Sequence, residues 1–112
     1  MDSTRQKKVS RLVQKELSEI FRSEVNDILM GTMVSVSVVR VSPDMGYAKV
    51  YLSIFPGEKK DEVFSSIVDD GSRIRFLLGK RTGKQLRIIP ELQFFIDDSL
   101  DYVQRIDDLL NE

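Results

Sequence analysis

Gly79-Lys80-Arg81-Thr82-Gly83-Lys84 combines glycines, which let a backbone approach a ligand closely, with cations that attract phosphate. A nucleotide-binding P-loop needs four residues between its glycines and a serine or threonine after its lysine, and it follows a strand. Here three residues separate the glycines, Gln85 follows Lys84, and the apolar spacing upstream is helical. No nucleotide cradle is expected. The chain has neither histidine nor cysteine. That removes histidine-based triads, disulfides, thiolate nucleophiles and most zinc sites. The carboxylate pairs Asp97-Asp98 and Asp107-Asp108 read as helix-end and solvated residues. The expectation is a protein that is not an enzyme, with no cofactor, no metal and no small-molecule substrate.

What remains is charge. Arg73, Arg75, Lys80, Arg81, Lys84 and Arg87 fall within 15 residues that contain no acid, although the whole chain has 17 basic and 18 acidic residues. Such self-repulsion is relieved by a polyanion, and phosphates are the usual one. Residues 91–112 hold seven acids and one base, so an acidic last helix could instead offset the patch. A second basic surface comes from Arg5, Lys8, Arg11, Lys15 and Arg22, which at helical spacing share one arc opposite an apolar stripe. Tyr47, Lys49 and Tyr51 alternate along a strand; aromatic residues between cations can stack bases. Tyrosine also simply suits strands, and that plainer reading is preferred.

The elements that position these residues follow from periodicity. Ser3 caps a first helix running to about Val25, with Gln6 completing a capping box and Val9, Leu12, Val13, Leu17, Ile20 and Phe21 as its buried stripe. Thr32–Val41 reads as a strand whose phase slips at Val38-Val39, where a bulge is expected. Ser42-Pro43-Asp44-Met45-Gly46 is turn chemistry, and Tyr47–Phe55 is the return strand. A second helix begins near Asp61-Glu62 and buries Val63, Phe64, Ile67 and Val68; a short third helix carries Ile74, Leu77 and Leu78 and ends in a basic loop, Gly79 to Gly83. Leu86–Ile96 is a third strand, regular only after Pro90, which cannot donate a ladder bond. Asp97-Asp98-Ser99 caps a last helix with Tyr102, Val103, Ile106, Leu109 and Leu110. At 112 residues, 1–112 reads as a single α+β domain, with helices on one face of a small mixed sheet.

Asp69-Asp70-Gly71-Ser72, between the second and third helices, occupies the place where KH domains carry their GXXG phosphate clamp. Two carboxylates there repel phosphate. Gly71 is expected as a left-handed cap and Ser72 as the start of the next helix, so Asp70, Gly71 and Ser72 read as a structural helix kink. The loop Gly79–Gly83 also fails as such a clamp, with three residues between its glycines. No apolar run has the length of a membrane span, and the N-terminus MDSTRQKKVSR is not a signal peptide. A cytoplasmic protein without membrane contact is expected.

Three stretches taken together resemble the bacterial ribosome-binding factor A family over nearly the whole chain. They are RQKKVSRLVQKELSEIF from Arg5, MVSVSVVRVSPDMGYAKVYLSIF from Met33, and IRFLLGKRTGKQLRIIPELQFFIDDSL from Ile74. The specific carriers are Ser42-x-Asp44 with Tyr47-Ala48-x-Val50-Tyr51, and Leu78-Gly79-Lys80 followed by Leu86-Arg87-Ile88-x-Pro90-Glu91-Leu92-x-Phe94. The resemblance implies a KH-like type II domain in which an Ala-x-Gly helix kink replaces the GXXG loop, followed here by a C-terminal helix. This chain departs at that point, with Gly71 one place early and no alanine. The resemblance also implies a monomer that binds the immature small (30S) ribosomal subunit and its 16S rRNA, assisting late assembly and processing of the RNA's 5′ end. Some members carry a long C-terminal tail; this sequence stops at Glu112, so contacts made by such a tail are either missing or belong to residues beyond it. From charge alone, Arg5, Lys8, Arg11, Lys15, Arg75, Lys80, Arg81, Lys84 and Arg87 are the candidate RNA contacts. The competing reading is a non-enzymatic protein-interaction module whose basic patch meets an acidic protein partner.

Overall fold

The computed structural model describes residues 3–97, so the expected last helix, from Asp98 onward, lies outside the described residues. Helix α1 spans Thr4–Ser23. Its start is fixed by the capping box: Gln6 N donates to Ser3 Oγ at 3.1 Å, and Ser3 N donates to Gln6 Oε1 at 2.9 Å. Two of the four orphan donors at the helix start are thereby satisfied. Strands β1 (Met33–Val41) and β2 (Tyr47–Phe55) form an antiparallel hairpin, and β3 (Glu91–Ile96) runs parallel to β2, giving a mixed sheet of order β1-β2-β3. The bulge lies one place earlier than expected. Val36 pairs with Leu52 and Val38 with Tyr51, so Ser37 is the extra residue. It turns Val39 and Val41 inward with Val34 and Val36, restoring a continuous buried face.

Helices α2 (Lys60–Asp69) and α3 (Gly71–Thr82) complete the order α-β-β-α-α-β of a type II KH-like domain. Val13, Leu17, Ile20 and Phe21 of α1, Val50 and Leu52 of β2, Ile67 of α2, and Ile74 and Leu78 of α3 meet in one core. Each such side chain contributes about 1.5–3 kcal/mol by leaving water. Phe21 meets Phe94 edge-on at 6.4 Å, which ties α1 to the far strand. All the core belongs to one face of the sheet; among the described residues no helix covers the other.

Three expectations are corrected here. Val68 is 50% exposed, because α2 turns only Val63 and Ile67 fully into the core. Gly71 is not a left-handed cap: it opens α3, Ser72 lies inside that helix, and the break is the single residue Asp70, with φ −96° and ψ 14°. Gly79 to Gly83 is not a loop. α3 continues through Gly79 to Thr82 because Thr82 is buried and donates to the Leu78 carbonyl at 2.8 Å. Gly83, with φ +49°, is where the helix ends.

Candidate nucleic-acid interface

The six cations between Arg73 and Arg87 have different employment in the folded chain. Arg73 bridges two segments: its guanidinium donates to Asp27 at 3.0 and 3.1 Å and to Asp70 at 2.6 Å. This pins the residue at the α2–α3 break to the turn after α1. The same guanidinium holds the Asp27 carboxyl below its ordinary range, chiefly by hydrogen bonding. Arg75 donates to the carbonyls of Ile89 and Pro90 at 2.6 and 3.1 Å and so shapes the approach to β3. Arg81 pairs with Glu16 at 2.8 Å and Glu24 at 3.4 Å, both on or just after α1. Three of the six are thus fastened to the fold, a distinction that charge counting could not make.

Lys80, Lys84 and Arg87 are the remainder. Lys80 Nζ stands 5.6 Å from the centre of the Phe76 ring, an exposed cation–π contact. Lys84 and Arg87 line a groove that also receives Arg5, from the first turn of α1, and is floored by Val9, Met45 and Leu86. Segments some eighty residues apart in the chain therefore deliver three cations to one place. Among the described residues none of the three forms an ion pair. One carboxylate, Asp44, shares the groove. Ser42 Oγ and the Gly46 amide donate to its Oδ1 at 2.6 and 3.1 Å and keep its carboxyl below the ordinary 3.8. The groove therefore presents three cations against one internally bonded anion, which suits phosphate.

Lys8, Arg11 and Lys15 are exposed along α1, as the helical spacing requires. Arg22 is paired with Glu19 and leaves this row. Two cations outside the expected set, Lys7 and Arg40, join Arg11. Lys7 and Arg11 of α1 line a second groove with Ser37, Val38 and Arg40 at the free edge of β1. Arg40 stands beside Lys49 across the β1–β2 ladder. Valines surround Arg40 in sequence, so its only signal was the alternation of the strand. At the helix junction the first turn of α3 carries no acid, but Asp69 and Asp70 precede it. No group of histidine, cysteine or carboxylate side chains among the described residues could hold a metal. No helix among them is long and apolar enough to cross a membrane.

The model of one protein family, ribosome-binding factor A, matches residues 5–110, nearly the whole chain. The chain belongs to the ribosome-binding factor A family. A ribosome-binding factor A from Cytophaga hutchinsonii is 44% identical over 112 residues, covering all of this chain and 84% of the relative. The crystal structure of ribosome-binding factor A from Thermus thermophilus superposes with a TM-score of 0.66 at 21% identity, over 81% of this chain and 94% of that one. A homology model of the Thermus thermophilus factor, fitted into a cryo-EM map of its complex with the 30S subunit, gives a TM-score of 0.63 at 21% identity, covering 80% and 91%. At these identities the two structures establish the shared fold. Family membership itself rests on the sequence match, and it agrees with the three stretches that resembled ribosome-binding factor A.

Proposed function

We propose that this member of the ribosome-binding factor A family acts on the immature small ribosomal subunit by holding phosphates of its 16S rRNA, as a monomer, in the cytoplasm and without catalysing a reaction. It would assist late assembly and the processing that matures the RNA's 5′ end by favouring one fold of the RNA. One observation carries the RNA contact: Arg5, Lys84 and Arg87 converge on a single groove while Arg73, Arg75 and Arg81 are consumed by the fold. Lys8, Arg11 and Lys15 extend the cationic surface along α1, and Lys80 extends it along α3. Free cations placed away from the core have no structural duty, and their mutual repulsion falls when phosphate arrives. The complex from which the Thermus thermophilus fit was made supports the choice of partner.

The test is co-sedimentation with purified small subunits. The triple variant Arg5→Glu, Lys84→Glu, Arg87→Glu should melt like the parent and pellet far less with subunits. A folded variant that pellets like the parent would sink the reading. Parent protein bound equally to small subunits and to translating ribosomes would argue against a role in assembly.

A further inference from the structure

The face of the sheet turned away from the helices carries an alternation of aromatic and cationic side chains. Along β2, Tyr47, Lys49 and Tyr51 point to this face, while Ala48, Val50 and Leu52 between them are fully buried. On β3 the partner of Tyr51 is Phe95, and the two rings stack with centroids 5.2 Å apart and planes 23° from parallel. On β1 the partner of Lys49 is Arg40. Tyr47 is 38% exposed, and among the described residues neither Arg40 nor Lys49 forms an ion pair. The Ser37 bulge is what sets Arg40 on this face. Without the extra residue, Arg40 would turn into the core and Val39 and Val41 would turn out.

We infer that this open sheet face binds unpaired RNA, with bases stacked on Tyr47 and on the Tyr51–Phe95 pair and with phosphates held by Arg40 and Lys49. The inference rests on the reading of the protein as an RNA-binding factor and names the form of RNA that this second surface takes. Aromatic rings on a flat sheet accept any base, because every base has a π-face, whereas a duplex hides its bases from such a platform. Tyr47 and Tyr51 lie roughly 13 Å apart along the strand, so they serve different nucleotides. The surface is also connected to the rest of the cationic surface. The groove of Lys7, Arg11, Ser37 and Arg40 crosses the edge of β1 and links the basic row of α1 to the sheet face. A phosphate backbone following that track passes from the cations of α1 to the rings, skirting the Asp97 carboxylate at Ser37 and Glu91 beside Tyr47. An apolar protein partner would gain nothing from the two unpaired cations between the rings, which it would have to desolvate. That charge complementarity favours RNA.

The experiment measures binding of the full chain to an unstructured oligouridylate and to a duplex RNA hairpin, with melting curves for every variant. Tyr47→Thr with Tyr51→Thr keeps strand propensity but removes the rings. Oligouridylate affinity should fall tenfold or more, on the order of one stacked base. Its salt dependence should stay as in the parent, since no phosphate contact is lost. Tyr47→Phe with Tyr51→Phe should bind like the parent, because the π-faces remain. If the double threonine variant melts early, Tyr47→Thr alone, at an exposed position, replaces it and should weaken oligouridylate binding by several fold. A folded threonine variant with parental oligouridylate affinity overturns the inference. If the Arg5, Lys84 and Arg87 reversals still abolish duplex binding, the RNA-binding reading survives that result. A parent that binds neither RNA defeats both. Threonine variants that lose self-association or a protein contact while keeping RNA affinity make this face a protein interface, which also overturns the inference.

Discussion

Arg81 Nε lies 2.8 Å from Glu16 Oε2, joining the last turn of α3 to the middle of α1 across 65 residues of sequence. Glu24 adds a second carboxylate at 3.4 Å, and the pair together raises the guanidinium's affinity for its proton, chiefly through the Glu16 hydrogen bond. Arg81 stood among the candidate RNA contacts, and in the fold it has two carboxylate partners from this chain. Arg81→Ala should lower the melting temperature by a few degrees and leave RNA affinity nearly intact. A double-mutant cycle with Glu16→Gln should show that the two losses are not additive. A folded Arg81→Ala protein with strongly reduced RNA affinity would restore Arg81 to the interface.

Gly79 and Gly83 bound the last turn of α3 and should respond oppositely to alanine. A Cβ on Gly79 would meet Ile89 Cγ1 at 3.5 Å, an ordinary contact, inside a helix where alanine is favoured. Gly79→Ala should be neutral or stabilise by up to about 1 kcal/mol. Gly83 has φ +49° and ψ −119°, a conformation costly to any residue with a Cβ. Gly83→Ala should destabilise by about 1–3 kcal/mol. Urea unfolding of both variants measures this, and equal effects would contradict it.

Gln6 is a capping residue with a second duty. Its side-chain oxygen accepts from Ser3 N, and its amide donates at 3.0 Å to the carbonyl of Val41 on the open edge of β1. Gln14, two turns on, donates to the carbonyls of Val36 and Ser37 on the same edge. Gln6→Ala should cost about 1–3 kcal/mol, since it leaves a buried carbonyl and a helix-start amide without partners. Gln6→Glu keeps the cap but cannot donate to Val41 and should recover only part of the loss. Full recovery would mean that the strand-edge contact is worth nothing.

Acid should weaken the hairpin turn through Asp44. Its folded-state carboxyl is depressed, chiefly by the Ser42 hydroxyl and then by the Gly46 amide. A depressed carboxyl contributes stability that is present above its unfolded pKa and is lost as pH falls through the folded one. The ordinary value is 3.8, so the loss begins near there and grows below it. Asp27 behaves alike through Arg73. Asp44→Asn should be less stable at neutral pH and flatter in its stability–pH curve below pH 4. A variant curve parallel to the parent's would exclude Asp44 as a source of the acid sensitivity.

Salt dependence should report how many phosphates the cationic groove holds. Each phosphate contact adds about 0.7–0.9 to the slope of log affinity against log salt. Reversing Arg5, Lys84 and Arg87 should therefore flatten the slope by about 2 to 3 for RNA. Reversing Arg73, by contrast, should mainly lower stability, because it breaks the link between Asp27 and Asp70. An unchanged slope in the groove variant would place those cations away from the RNA.

Local pattern alone specified most of the elements. The apolar stripe and capping box set α1 within two residues, alternation set both hairpin strands, and Pro90 marked where β3 begins. The reason is that helical and strand periods are imposed by neighbours in sequence, which the sequence displays directly. The three stretches carrying the resemblance to ribosome-binding factor A were equally legible, because they are strings of residue types. What only the tertiary structure decided was the employment of each charge. Gly79 looked like a helix end and proved to be a helix interior, because Thr82, three residues on, is buried under the core. Arg75 and Arg81 looked identical to Lys84 and Arg87 as members of one basic run. They part company because carbonyls at Ile89 and Pro90 and carboxylates at Glu16 and Glu24 come within hydrogen-bond reach only once the chain has folded. Arg5 joined Lys84 and Arg87 by the same long-range closure. A sequence shows that a cation is present; whether an anion of the same chain already occupies it is a matter of distances between remote segments, and those are set by packing.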